Sequence, residues 1–362
     1  MRIGLDISQV VYEGTGVGRF IEGLVNVICT QKTKHEWVFF FSGFRRKLGK
    51  EIRNKISSSG FKLAQLPFPP TLLSYLWNDL HIFPVTRLTG KLDWFISSDW
   101  TEPPASCRKA TVIHDLSVFK YPETVDTKIL KTQKKRLEWV SQESSVIFAD
   151  SDATLKDARE YLPNTNSQIH RVYPGVTVQK VSPQQIKQMK QKLDLKKNFI
   201  LTVGKLEPRK NIQRLIEAFE KLNLQNVELV IAGGYGWGKQ VQPVKNTRIL
   251  GFVDEPTLHA LYQSCLFFTF PSIWEGFGYP VVEAMQHGTP VATSNTSSLK
   301  EIAQDAGLLF DPLNVGDISH CLRLLTTNQK LRAELKRKGL KRGGEFSWNS
   351  YYKEMISILE NS

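Results

Sequence analysis

Residues 199–222 read FILTVGKLEPRKNIQRLIEAFEKL. The opening run, 199–203, is apolar, rich in β-branched and aromatic side chains, and stops at Gly204, which reads as a buried strand. A cationic loop follows. Then Ile212, Leu215, Ile216, Phe219 and Leu222 recur at three- and four-residue intervals, the stripe that one face of a helix needs. The same alternation continues outward. Strands are expected at 227–231, 248–252, 266–270, 291–293 and 308–310, and in the first half at 2–7, 37–41, 61–66, 92–97, 111–114, 146–149 and 169–173. Helical stretches at 18–29 and 127–142 lie between strands, and a charged helix at 329–339 precedes an amphipathic one at 348–359. Strands alternating with helices imply parallel sheets covered on both faces.

The chain has 362 residues, more than one core usually holds. The segment 173–185, YPGVTVQKVSPQQ, has no periodicity and reads as a break. The expected organisation is an α/β protein with two doubly wound Rossmann-like domains facing across a cleft. Domain one spans 1–178 and is completed by the last helix, about 346–362; domain two spans 179–345. Hydrophobic content of 41% and charged content of 23% exclude a disordered chain. No apolar stretch approaches the length of a membrane span and no leader is evident, so a cytoplasmic location is expected. Cys29, Cys107, Cys265 and Cys321 lack metal-ligand spacing and read as reduced thiols.

The net charge is +13. Basic residues cluster at Arg45, Arg46, Lys47, Lys50, Arg53 and Lys55, at Lys128, Lys131, Lys134, Lys135 and Arg136, and at Lys330, Arg332, Lys336, Arg337, Lys338, Lys341 and Arg342. Such surfaces attract anions. No nucleic-acid-binding pattern accompanies them, so nucleic acid is not an expected partner. Solvated helix faces are the alternative. The first patches, with the aromatic stretch FPPTLLSYLW (68–77), suggest docking on an anionic membrane surface; ordinary core is the competing reading of that stretch.

Ligands of doubly wound sheets bind at the carboxyl ends of strands, and the motifs stand there. GTGVGRF (14–20) leads into a helix, and glycines at a helix N-terminus let backbone amides approach an anion or a sugar. The spacing is not GxGxxG and Glu36 precedes the second strand, which disfavours NAD. A tight turn is the simpler alternative. Lys205, Arg209 and Lys210 follow the strand 199–203 and precede a helix; fixed cations there suit a diphosphate. In PSIWEGFGYPVVEAMQHGTP (271–290), Gly276 and Gly278 free the backbone, Pro280 suits a first helical turn, and Glu275 and Glu283 are placed to meet a sugar and ribose hydroxyls. Otherwise Glu275 is a cap and Glu283 a surface charge. His114 closes a strand, where it donates to a hydroxyl or to developing negative charge, or else bonds a loop carbonyl. Asp150-Ser151-Asp152 is a literal D-x-D, read as helix capping and not as a metal site.

These motifs, in order with DWFISSDWTEPP (93–104), VIHDLSVFKYPE (112–123), FADSDAT (148–154), LGFV (250–253) and DAGLLFDP (305–312), resemble the retaining glycosyltransferases of family 4. More narrowly, they resemble the mannosyltransferase-like branch that builds bacterial surface polysaccharides such as lipopolysaccharide. The resemblance covers nearly the whole chain. It implies the GT-B fold, with the last helix returning to the first domain, an acceptor-side first domain, a donor-binding second domain and no metal or cofactor. It implies that Lys205 and Lys210, with Arg209, hold the donor diphosphate. Glu275 would lie beside the transferred sugar, Gly276, Phe277 and Gly278 would supply backbone donors, and Glu283 would bind ribose. His114 would lie near the sugar's primary hydroxyl and Gly16 near the diphosphate. Glu275, His114 and Lys210 are the expected catalytic set. Lysine stands at 205 where the family often has arginine, so a point charge replaces a bidentate fork.

The expected activity is transfer of a hexose, mannose by resemblance, from a nucleotide diphosphate sugar to a glycan or lipid-linked acceptor. Glu275 as nucleophile and a front-face reaction both fit. A nucleotide-sugar epimerase or hydrolase, and a non-catalytic sugar-nucleotide-binding protein, are the alternatives.

Overall fold

The apolar runs pair with one another in parallel, and the side chains of the central strands are buried on both faces. In β2 (Glu36–Ser42), five consecutive residues, Trp37 to Phe41, are at most 1% exposed, a pattern that only a strand covered on both sides produces. The structure, a computed structural model, describes residues 1–12, 14–97, 99–236 and 241–362. The chain divides into two compact units, Met1–Gly175 with Ser347–Ser362, and Val176–Phe346.

In the first unit, β1 (Arg2–Asp6), β2, β3 (Lys62–Leu66), β4 (Trp94–Ser97), β5 (Arg108–Ile113), β6 (Ser144–Ala149) and β7 (Gln168–Arg171) form a sheet of order β3-β2-β1-β4-β5-β6-β7. In the second, β8 (Asn198–Val203), β9 (Val227–Ala232), β10 (Thr247–Gly251), β11 (Phe267–Phe270), β12 (Val291–Ser294) and β13 (Gly307–Phe310) follow the order β10-β9-β8-β11-β12-β13. Each strand expected from the sequence is present, within a few residues at its ends. In both sheets the order reverses beside the first strand, between β1 and β4 and between β8 and β11. Crevices for ligands open at such switch points, outside the carboxyl ends of the strands.

The helix Ile212–Glu220 turns Ile212, Leu215, Ile216 and Phe219 onto β8 and β9, where Ile318, Leu322 and Leu325 of the helix Val315–Thr327 join the same core. Burying each such side chain contributes about 1.5–3 kcal/mol.

The last helix, Trp348–Asn361, belongs to the first unit. Trp348 and Tyr351 pack edge-on against Phe20 of the helix Gly16–Thr30, with ring centroids 5.5 and 5.4 Å away. Two glycines make this approach feasible: a Cβ on Gly23 would lie 2.1 Å from the Trp348 ring, and one on Gly175 would lie 2.3 Å from the Trp348 backbone nitrogen.

Three surface expectations need correction. Arg136 is not part of a solvated patch: it is 2% exposed and donates to Thr111 Oγ1 at 2.7 Å and to the Val112 carbonyl at 3.1 Å. In the third cluster, Arg332 and Arg342 donate to backbone carbonyls at helix ends and Lys338 pairs with Asp305 and Glu334, so much of that charge is spent within the fold. The stretch 68–77 divides between the two readings offered for it. Leu73 and Trp77 are core, packed with Phe40, Val85 and Phe95, while Leu72 and Tyr75 are exposed.

Candidate functional site

The second unit's site lies where β8 and β11 end side by side. After β8, Gly204 takes φ +148°, and a short turn, Pro208–Lys210, leads to Asn211 in the left-handed region. Asn211 is buried and its amide donates to the carbonyls of Pro271 (3.1 Å) and Pro312 (2.6 Å). One side chain therefore ties together the segments that follow β8, β11 and β13. The Ile273 amide donates to the Arg209 carbonyl at 2.9 Å, a second tie between the first two.

That arrangement brings three of the predicted residues into contact. Lys210 Nζ lies 2.5 Å from Glu275 Oε1, and Arg209 Nη1 lies 3.0 Å from Glu275 Oε2. Arg209 also donates to the Trp274 carbonyl at 2.5 Å, and the Lys210 ammonium sits 5.0 Å from the Phe270 ring centroid. Burial opposes ionisation of Glu275, but Arg209 and Lys210 outweigh it and hold its carboxyl down to about 2. For Lys210, burial and the like charge of Arg209 outweigh Glu275 and Glu207, so its ammonium is shifted below the ordinary lysine value. Glu275 is therefore neither a cap nor a solvated charge. It is a permanent carboxylate between two cations.

The Glu275 backbone is fixed independently. Its amide donates to Ser297 Oγ (3.1 Å) and its carbonyl accepts from Ser298 Oγ (2.8 Å), at the start of the helix Ser297–Ala303. Ser297 is held at φ +52°, a conformation that a non-glycine residue adopts at some cost. Asn211, Ser297 and Ser298 escaped the sequence reading. Asn211 stands in the quoted cationic loop, but nothing local announces the side chain's long-range partners, and the serines follow a different strand.

The remaining predicted donor residues fall nearby or apart. Lys205 is exposed and makes no ion pair among the described residues. Gly276, Phe277 and Gly278 are buried, and Gly278, at φ +100°, precedes the helix Tyr279–Gln286, where a Cβ would meet Leu299 at 2.7 Å. Glu283 is not in the Glu275 cluster. It is 5% exposed and accepts the Tyr262 hydroxyl at 2.9 Å, which removes the surface-charge reading.

In the first unit, Thr15 caps the helix Gly16–Thr30 by accepting from the Gly18 amide, and Gly16 is exposed. A Cβ on Gly18 would lie 2.5 Å from the Tyr12 carbonyl oxygen, so the turn requires glycine there. His114 Nδ1 lies 2.7 Å from Asp150 Oδ2. The capping expectation for Asp150-Ser151-Asp152 holds at Ser151 and not at Asp150. The cap of the helix Asp152–Tyr161 is Ser151, which accepts from the Thr154 amide, while Asp150 turns to the histidine at the end of the neighbouring strand. Among the described residues no group of three or more His, Cys, Asp or Glu is arranged to hold a metal ion. A separate cavity of about 490 Å³ opens beside β1 and β2, with Tyr12, Arg45, Arg46, Tyr75, Trp100 and Lys128 among its walls.

Two doubly wound parallel sheets of seven and six strands are the architecture of the GT-B fold. The model of the family glycosyl transferases group 1 matches residues 183–342, most of the second unit. It is similar to the O-antigen chain mannosyltransferase B of Escherichia coli, 28% identical over 383 positions that cover 99% of this chain and 100% of the relative. It is also similar to the serotype-specific mannosyltransferase WbdA of the same species, 32% identical over 230 positions; these span 57% of this chain but 28% of that protein. Among solved structures, Anabaena HepE in complex with UDP and glucose superposes with a TM-score of 0.75 over 100% of both chains at 16% identity.

Proposed function

We propose that the protein is a retaining hexosyltransferase of family 4, moving mannose from a nucleotide diphosphate sugar to a glycan or lipid-linked acceptor of a surface polysaccharide, without a metal ion. The observation that carries this reading is the clasp of Lys210 and Arg209 on Glu275 at the β8/β11 switch point. The mannosyltransferase relatives support the sugar, and the UDP and glucose bound to HepE support a nucleotide-sugar donor.

When the sugar C1–O bond breaks, negative charge grows on the diphosphate and positive charge on the sugar. Fixed cations stabilise the first and a fixed carboxylate the second, with little reorganisation during reaction. Lys205, Arg209 and Lys210 take the diphosphate, and Gly276, Phe277, Gly278, Glu283 and Gly16 are assigned to donor binding as the resemblance implies. A carboxylate whose charge is drawn toward two cations is a poor nucleophile, so Glu275 acts electrostatically. The acceptor oxygen then bonds to C1 on the face the diphosphate leaves, and its proton passes to the departing phosphate oxygen. Lys210→Ala is expected to lower turnover per folded molecule about 10²–10³-fold, with chelator-treated wild type fully active. Full turnover in that variant would end the proposal.

The first unit is assigned to the acceptor and, on a second observation, to a membrane surface. Around its cavity the exposed Phe44 and Tyr75 stand with Arg45, Arg46 and Lys128, apolar tips beside cations as an anionic interface requires. Among the described residues no helix is long and apolar enough to cross a membrane. Docking on the inner face of the cytoplasmic membrane predicts tighter binding to vesicles containing phosphatidylglycerol than to phosphatidylcholine vesicles, with Arg45→Glu/Arg46→Glu erasing the difference. Equal binding of the wild type to both would refute it.

A further inference from the structure

β5 and β6 are adjacent and parallel, and their register pairs Ile113 with Ala149. The next residue on each, His114 and Asp150, therefore emerge side by side, and their side chains meet at 2.7 Å. Asp150 is 2% exposed. The imidazole is confined on other sides too. Phe20 lies edge-on at 4.7 Å between ring centroids and is itself backed by Trp348 and Tyr351 of the last helix. The His114 carbonyl accepts from Thr154 Oγ1 at 3.3 Å. What remains is Nε2, a buried ring nitrogen with no hydrogen-bond partner among the described residues. A buried polar atom left unsatisfied is costly, and a hydroxyl of a bound ligand would satisfy this one.

We propose that Asp150 is a positioning residue for transfer: it holds the His114 ring by Nδ1, so that Nε2 alone is presented to a hydroxyl of the bound sugar. The inference rests on the reading of His114 as a sugar contact, and it assigns a role to a residue that the D-x-D pattern had suggested was a cap. A carboxylate at Nδ1 determines the tautomer, since the proton between them stays on Nδ1. Nε2 then accepts from the hydroxyl when the ring is neutral and donates to it when the ring is charged. Burial alone would depress the His114 imidazole, but the Asp150 charge outweighs it and raises its pKa; Asp99 adds to this and Arg136 opposes it. Asp115 bears on Asp150 from the following loop, and Tyr351 on the last helix is kept protonated by burial and by Asp150. The charged ring, with Nε2–H as donor, is thus favoured to higher pH than for a free histidine.

The test uses the full-length chain with ¹³C,¹⁵N-histidine, and His114→Gln assigns the resonance. In the wild type the neutral His114 ring should carry its proton on Nδ1 and titrate above about 6.5, the free-histidine value. Asp150→Asn should lower that midpoint by more than one pH unit and move the alkaline limb of donor turnover down with it, and Asp150→Glu should restore part of both. A wild-type ring neutral at Nε2–H, or a midpoint and pH profile unmoved by Asp150→Asn, overturns the proposal even if that variant is less stable. Should Asp150→Asn not fold, the wild-type tautomer and midpoint decide alone. Wild-type turnover in His114→Gln would sink the sugar contact itself, and the resonances would still show whether Asp150 governs the ring.

Discussion

The two sheets reverse strand order at the same place, yet the two switch points hold charge in opposite ways. Between β8 and β11, Arg209, Lys210 and Glu275 keep side-chain exposures of 17, 15 and 11%. At the switch point between β1 and β4, the segment after β4 carries Glu102, 0% exposed. It accepts from Ser97 Oγ and forms an ion pair with the Lys109 ammonium at 2.8 Å, Lys109 being 3% exposed, and Lys109 continues to Glu143. One set is reachable by a ligand; the other is sealed and joins β4 to β5. In the first unit the pair proposed to meet the sugar stands one strand over, His114 and Asp150 at the ends of β5 and β6. Topology thus offers a place, and side-chain packing decides whether the place binds or braces.

The largest effect should come from breaking the sealed set. Glu102→Ala leaves the Lys109 ammonium buried with one acid fewer, and losing a partner of a buried pair costs about 3–5 kcal/mol. Urea unfolding should show that loss, while the folded fraction still turns over donor. A cost no larger than that of a surface pair would erase the distinction between the two switch points.

The open set sharpens the comparison through pH. Glu275 is held to about 2 in the folded protein against an ordinary 4.5. Its ionised form therefore contributes stability on the order of 3 kcal/mol. This contribution is fully present above pH 4.5 and is lost as pH falls toward 2, because the folded pKa is the depressed one. The stability gap between wild type and Glu275→Gln should be flat at neutral pH and shrink in that acid window. A gap independent of pH would mean that the two cations do not hold the carboxylate.

The smallest effect separates the two halves of Asp150-Ser151. Ser151→Ala removes a helix cap and should cost about 1 kcal/mol in unfolding without moving the pH profile of turnover. A shifted profile would show that cap and histidine pair are not independent.

Much of this was legible along the chain because it is local. Ile212, Leu215, Ile216 and Phe219 report a helix by their spacing, and the apolar runs report strands by length and composition, since burial on both faces allows little else. The cationic loop at 205–210 and the acid at 275 were readable as parts of a site because glycines, charges and strand ends coincide there. Asp150 was misread for the same reason that Ser151 was within reach: a cap is satisfied within three residues, whereas the partner of Asp150 is 36 residues away. Arg136 looked like one more member of a lysine run until the fold enclosed it against Thr111 and Val112.

Periodicity and strand-end motifs, properties of neighbours in the chain, determined by themselves that this protein has two wound parallel sheets with a cationic loop and an acid-bearing loop on the second. Only the tertiary structure decided which charges meet. Pairing of Lys210 with Glu275, of His114 with Asp150 and of Lys109 with Glu102 depends on strand order and register, which bring distant residues within 3 Å and set how much water remains around them.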